Sequence, residues 1–116
     1  MNLQSSQRLA FEPLRSLDYT LISGSYALIG TPFANPVRQL LLQNLTDANM
    51  IVSFDGVDDH VVVAASSGII FDFCSNKNDT AGNLEQPAYT FCYVRQESAA
   101  PTKGVFYVAL TYASQV

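Results

Sequence analysis

The chain has 116 residues, a formal net charge of −4 and a pI near 4.6; 48% of its residues are hydrophobic and only 14% charged. That length is one domain able to bury its own core, and no Lys/Arg cluster exists to neutralise phosphates, which argues against nucleic-acid binding. No apolar run approaches the roughly 18–20 residues of a membrane helix, and the N-terminal stretch lacks the apolar core of a signal peptide, so synthesis in a cytoplasm without a membrane partner is the expectation.

Residues 1–16 are polar and irregular, with Pro13 breaking any regular element. Leu9, Phe11, Leu14 and, at its end, Leu17 are apolar exceptions. The terminus reads either as disordered or as an extended N-terminal arm whose apolar anchors dock on a neighbouring subunit and which is dispensable for folding. The rest, 17–116, reads as the folded domain.

Leu17 to Ile29 reads as two strands broken at Ser23-Gly24, with Tyr26 and Leu28 on one face. Residues 30–36 form a connection holding Pro32 and Pro36, which cannot donate to a ladder. Val37 to Asp72 then reads as four strands. Leu40 and Leu42 share a face, and 44–49 is turn chemistry. Met50, Val52 and Phe54 alternate with Ile51 and Ser53. Asp55-Gly56 signals a hairpin. Val61 to Val63 is a third run; Ser66, Ser67 and Gly68 precede Ile69 to Asp72, the fourth. Residues 75–83 form a surface loop. Ala88 to Arg95 reads as a strand, with Tyr89, Phe91 and Tyr93 on one face and Thr90, Cys92 and Val94 on the other. Gly104 to Tyr112 alternates most clearly of all.

About seven to eight short strands separated by turn signals predict an all-β fold, an antiparallel two-sheet β-sandwich. Jelly-roll and immunoglobulin-like topologies both fit the pattern.

The densest polar cluster is Asp55-Gly56-Val57-Asp58-Asp59-His60. It lacks the alternating ligands and closing acid of a calcium loop, and one histidine does not make a zinc site. It reads as a polar hairpin, with no metal or other cofactor expected. His60 is also the sole conventional base, and no nucleophile elbow surrounds any serine. The chain therefore reads as a non-enzyme with no catalytic residues. Cys74 and Cys92, the only cysteines, are expected as free thiols in a reducing compartment. Asn44-Leu45-Thr46 and Asn78-Asp79-Thr80 match a glycosylation pattern but read as turn residues.

The words Leu17-Asp18-Tyr19, Ile22-Ser23-Gly24-Ser25-Tyr26, Gly30-Thr31-Pro32, Pro36-Val37-Arg38, Gln43-Asn44-Leu45-Thr46-Asp47 and Ser53-Phe54-Asp55-Gly56, followed by Asp59-His60, resemble small virion proteins of tailed bacteriophages. Phe71-Asp72, Ser75-Asn76-Lys77, Ala100-Pro101-Thr102, Gly104 to Val108 and Thr111-Tyr112-Ala113 continue the likeness, which spans about residues 15–113. The resemblance implies a late, non-enzymatic structural protein of the virion, made in the host cytoplasm. Foremost is a capsid decoration (cement) protein bridging copies of the major capsid protein, present as a homo-oligomer. A neck, collar or tail adaptor ring contacting portal or tail proteins is an alternative, and a carbohydrate-binding module on the virion surface is another. The likeness carries no ligand residues; Leu9, Phe11, Leu14 and Leu17 stand as the partner-contact residues.

Overall fold

The computed structural model describes residues 7–73, 77–78, 82–83 and 87–115. Their strands are β1 (Gln7–Phe11), β2 (Arg15–Asp18), β3 (Ala27–Leu28), β4 (Val37–Asn44), β5 (Met50–Ser53), β6 (Val61–Val63), β7 (Ser67–Asp72), β8 (Lys77–Asn78), β9 (Gly82–Asn83), β10 (Tyr93–Gln96) and β11 (Val105–Gln115). A single 3-10 turn, Tyr19–Leu21, follows β2, capped by the Asp18 carboxylate, which accepts from the Thr20 amide. No α-helix occurs among the described residues.

Two antiparallel sheets form the body. The five-stranded sheet runs β1-β11-β4-β7, with β2 also on β11; the four-stranded sheet runs β3-β10-β5-β6. β1 and β2 share one side of β11. Phe11 lies opposite Thr111 and Arg15 opposite Val108, so the two are one edge strand interrupted at residues 12–14. Counted that way, the body has eight strands. Numbered in chain order, its sheets read 1-8-3-6 and 2-7-4-5, and only β5–β6 is a hairpin within one sheet. This interleaving is the jelly roll. The immunoglobulin alternative is thereby excluded, because it needs consecutive strands paired within its sheets.

The core lies between the sheets. Leu40, Leu42, Phe106, Val108 and Leu110 come from one, Met50, Val52, Val63 and Val94 from the other, and all are almost fully buried. Each set follows the expected period of two. Ile29, Phe33 and Val37 are fully buried in the same cluster. Asn44, at the end of β4, links the two sheets. Its amide nitrogen donates to the carbonyls of Ala48, Val63 and Ala64, and its oxygen accepts from the Thr46 amide and hydroxyl. A polar residue is tolerated there because both ends of its side-chain amide are satisfied.

Several sequence expectations differ from the structure. Leu17 to Ile29 reads as two strands, yet strand ends at Asp18, Tyr19–Leu21 is a 3-10 turn and strand resumes only at Ala27–Leu28. Residues 1–16 are expected to be irregular, yet 7–11 and 15–18 are strands on β11. The extended segment from Ala88 is strand only from Tyr93. Tyr89 adopts φ 65, and the backbone of 89–92 spends its hydrogen bonds on the 29–33 connection: the Tyr89 amide to Phe33, that of Phe33 to Thr90, and that of Ile29 to Cys92. The alternation survives, with Cys92 and Val94 inward and Phe91 outward. Finally, the turn after β5 is not a two-residue hairpin but a seven-residue loop, 54–60.

Candidate interaction surface

The outer face of the five-stranded sheet carries an apolar depression. Cross-strand registry aligns Ile70 on β7, Leu41 on β4 and Ala109 on β11. Phe11 sits one row along, opposite Thr111. Phe11, Leu41, Ile70 and Ala109 line one shallow depression of about 200 Å³, with Gln39 and Thr111 as its polar members. Thr111 Oγ1 donates to Gln39 Oε1 at 3.1 Å, so those polar groups satisfy each other. Among the described residues, none that lines the depression is charged. Phe11 is 75% exposed and Ile70 69%.

The interruption between β1 and β2 produces part of this exposure. The Glu12 amide donates to Leu110 O at 3.2 Å, and Pro13 follows, which has no amide to give. Leu14, 61% exposed, is carried outward on this bulge. Beneath it lies a buried ion pair, Arg15 Nη2 to Glu12 Oε1 at 2.8 Å. Arg15 also donates to Thr31 O (2.8 Å) and Pro32 O (3.0 Å), and its guanidinium lies 5.2 Å above the Phe33 ring. Glu12 accepts from the amides of Ala34 and Asn35 and from the Asn35 side chain. The apolar knobs outside are thus fixed by a polar network inside.

Of the four expected contact residues, Leu9, Phe11 and Leu14 are exposed. Phe11 lies in the depression, and Leu9 stands opposite Ala113 farther along the same ladder. Leu17 is on the other face: it lies opposite Phe106 and packs against the core. Leu41, Ile70 and Ala109 are surface residues that the sequence pattern does not single out. Hydrophobic runs such as 40–42 do not say which member faces outward until a partner strand fixes the registry.

The 54–60 loop gathers Asp55, Asp58 and His60, each offering one ligand atom within 4.8 Å of the others, all exposed. Its bonding is that of a self-closed turn. Asp55 Oδ1 accepts from the amides of Val57 (2.8 Å) and Asp58 (2.9 Å) and from the Ser53 hydroxyl. His60 Nδ1 accepts from the Phe54 amide at 3.0 Å, so the neutral ring carries its proton on Nε2, toward Asp55. A cation on Nε2 would have to displace that proton and break this arrangement. The loop lies against β10: Asp59 takes Arg95 Nη2 at 2.8 Å and the Tyr26 hydroxyl. The Asp58 and Val57 amides, then the Ser53 hydroxyl, hold the Asp55 carboxyl down to about 2, with nearby His60 the smallest contribution. An NMR titration is therefore expected to give an Asp55 midpoint near that value, little changed by His60→Ala. A midpoint in the ordinary carboxylate range would show that the turn is not closed.

Cys92 is a buried free thiol whose pKa burial pushes up to about 12, which makes it unreactive. Cys74 lies outside the described residues, as does most of the 75–83 loop.

Comparison with known proteins returned no matching family model and no similar curated protein.

Proposed function

We propose that this protein is a non-enzymatic structural component of a phage particle, a decoration protein that bridges neighbouring subunits of the major capsid protein. Its sequence words resemble small virion proteins of tailed phages, and jelly rolls recur in capsid and lectin domains. Fold by itself assigns no function. The observation that carries the reading is the apolar depression on the outer face of the five-stranded sheet, where Phe11, Leu41 and Ile70 are presented on the strand ladder, with exposed Leu14 on the bulge beside it. Exposed apolar surface of this kind marks protein contact sites, and a ladder-borne site keeps its shape when it docks. Leu9, Phe11 and Leu14 supply the shell contact in this reading. Leu17 supports them from the core.

The test is copy number in purified particles, by quantitative mass spectrometry with the major capsid protein as internal standard. A stoichiometry comparable to the capsid protein is expected. About a dozen copies would instead indicate a neck or tail ring, as ring symmetry demands, and absence from particles would overturn the virion reading. Phe11→Ser paired with Leu14→Ser is expected to lower occupancy at least tenfold, since central anchors of an interface each carry about 2 kcal/mol or more. Unchanged occupancy would remove this surface from the contact.

A further inference from the structure

The two sheets have four outer edges, and three of them are blunted. The β1/β2 edge is broken at residues 12–14 and holds Pro13. β3 has two residues and β6 three. Short strands, prolines and bulges are the usual means of keeping an edge from pairing with another chain. β7 has none of them. It runs six residues, Ser67–Asp72, and pairs with β4 at six consecutive positions without a register shift. Its sequence, Ser-Gly-Ile-Ile-Phe-Asp, carries no lysine, no proline and no charge before its last residue. Among the described residues no strand covers its other edge.

The flank beside this edge is apolar as well. A slot of about 210 Å³ opens there, lined by Leu40, Phe54, Val61, Phe71 and Phe73. Ile70 on the outer face is 69% exposed, and Val62 on β6 is 53% exposed.

We propose that β7 pairs antiparallel with β7 of a second copy, joining two five-stranded sheets across a two-fold axis. This goes beyond the virion reading and does not depend on it. A second copy is the occupant that the chemistry fits best. Antiparallel self-pairing about a two-fold gives each backbone group of the edge a partner of matching geometry. Because side chains alternate, paired positions must sum to an even number if both outer faces are to stay on one side. Centring the axis on Ile70 meets that condition. It sets Ile70 beside its copy on the outside and Ile69 beside the partner copy's Phe71 on the inside. Asp72, the one charged residue of the strand, then falls opposite Gly68 rather than opposite itself. A chain of net charge −4 approaches itself most readily where no acid meets an acid, and within the paired strands this register sets none opposite another.

The contact is of modest size. Six residues span about 20 Å, and two sheets about 10 Å apart give a flank on the order of 400 Å² per copy once side chains are included. Stable interfaces average about 800 Å² per partner, so reversible association in the micromolar range is expected.

Sedimentation velocity on the full chain, from about 1 to 200 µM, tests this. The wild type is expected to shift from monomer toward dimer across that range. Ile70→Lys should raise the dimer dissociation constant at least tenfold, because two lysines would meet at the axis, while the milder Ile70→Thr should weaken it less. Leu21→Lys adds the same charge at an exposed site on the turn after β2 and should leave association unchanged. A wild type that stays monomeric throughout, an Ile70→Lys protein that dimerises normally, or equal loss with Leu21→Lys would each overturn the proposal.

Discussion

Glu12→Gln is expected to cost about 3–5 kcal/mol of folding stability near neutral pH, the usual penalty for removing one partner of a buried ion pair. The substitution keeps the shape of the side chain and part of its hydrogen bonding to residue 35. It leaves the Arg15 guanidinium, 7% exposed at its side chain, with no opposing charge. Arg15 Nη1 is already buried without a hydrogen-bond partner among the described residues, so the site has no slack to absorb the loss. The consequence reaches the surface, because this pair sits under the bulge that carries Phe11 and Leu14 outward. It also bears on the expectation that the first residues are dispensable for folding: removing residues 1–14 would take Glu12 with them and is expected to destabilise the domain.

The same pair makes stability depend on pH. Burial alone would raise the Glu12 carboxyl; the hydrogen bonds from Arg15, Asn35 and the Ala34 amide, together with the Arg15 charge, outweigh it and hold the pKa below its ordinary 4.5. A carboxyl with a lowered folded pKa contributes stability that is fully present above the unfolded value and is lost as pH falls through the folded one. Urea denaturation midpoints of the wild type should therefore drop below pH 4.5, while those of Glu12→Gln should drop less. The gap between the two proteins should narrow with acid. A gap that stays constant from neutral pH down through the folded pKa would show that the pair is not the origin of the effect.

Gly104→Ala is the second large expectation, at about 3–5 kcal/mol and a melting temperature lower by at least about 10 °C. Gly104 has φ +101, a conformation that residues with a Cβ rarely adopt. An added Cβ would lie 2.1 Å from Leu45 O and 2.7 Å from the Thr46 Cα, both backbone atoms. Neither can move freely. The Gly104 carbonyl accepts from the Tyr19 amide at 3.1 Å, and the Leu45 amide donates to Val105 O at 3.0 Å, so both approaching segments are tied in place. Gly24→Ala is the matched control. Nothing lies within 4 Å of its Cβ position, and a change of less than about 1 kcal/mol is expected. Similar melting of the two variants would mean that the approach at Gly104 is looser than described.

The alternation in 104–112 and 50–54 is legible in the amino-acid pattern because period two needs only a one-sided core, and β11 and β5 each turn one face to it. The same rule fails at 88–92. That run has strand composition, yet its backbone is bonded to a connection some 60 residues earlier, a partner that local pattern does not reveal. It fails in the opposite sense at 7–11, where a short stretch beside Pro13 in a polar terminus becomes strand because β11 offers an open edge to pair with. Propensity is overridden in both places by the demand that backbone groups find partners.

The exposed surface is half legible. Leu9, Phe11 and Leu14 stand out as large apolar residues in a polar setting. Leu41 and Ile70 do not, since each sits in an apolar run whose neighbours are core. Leu17 looks like the first three and faces inward. Side-chain direction in a strand is fixed by registry with the next strand, and registry is a long-range property.

From composition and pattern alone come the class of the fold, the single core, most strand positions and the absence of metal-loop or nucleophile spacing, because each depends on local periodicity or on which residue types exist at all. The jelly-roll order, the buried Glu12–Arg15 pair, the apolar outer face and the unguarded β7 edge come only with the folded chain. Each of these depends on segments distant in sequence being brought side by side, and that is decided by how two sheets bury their apolar faces against each other.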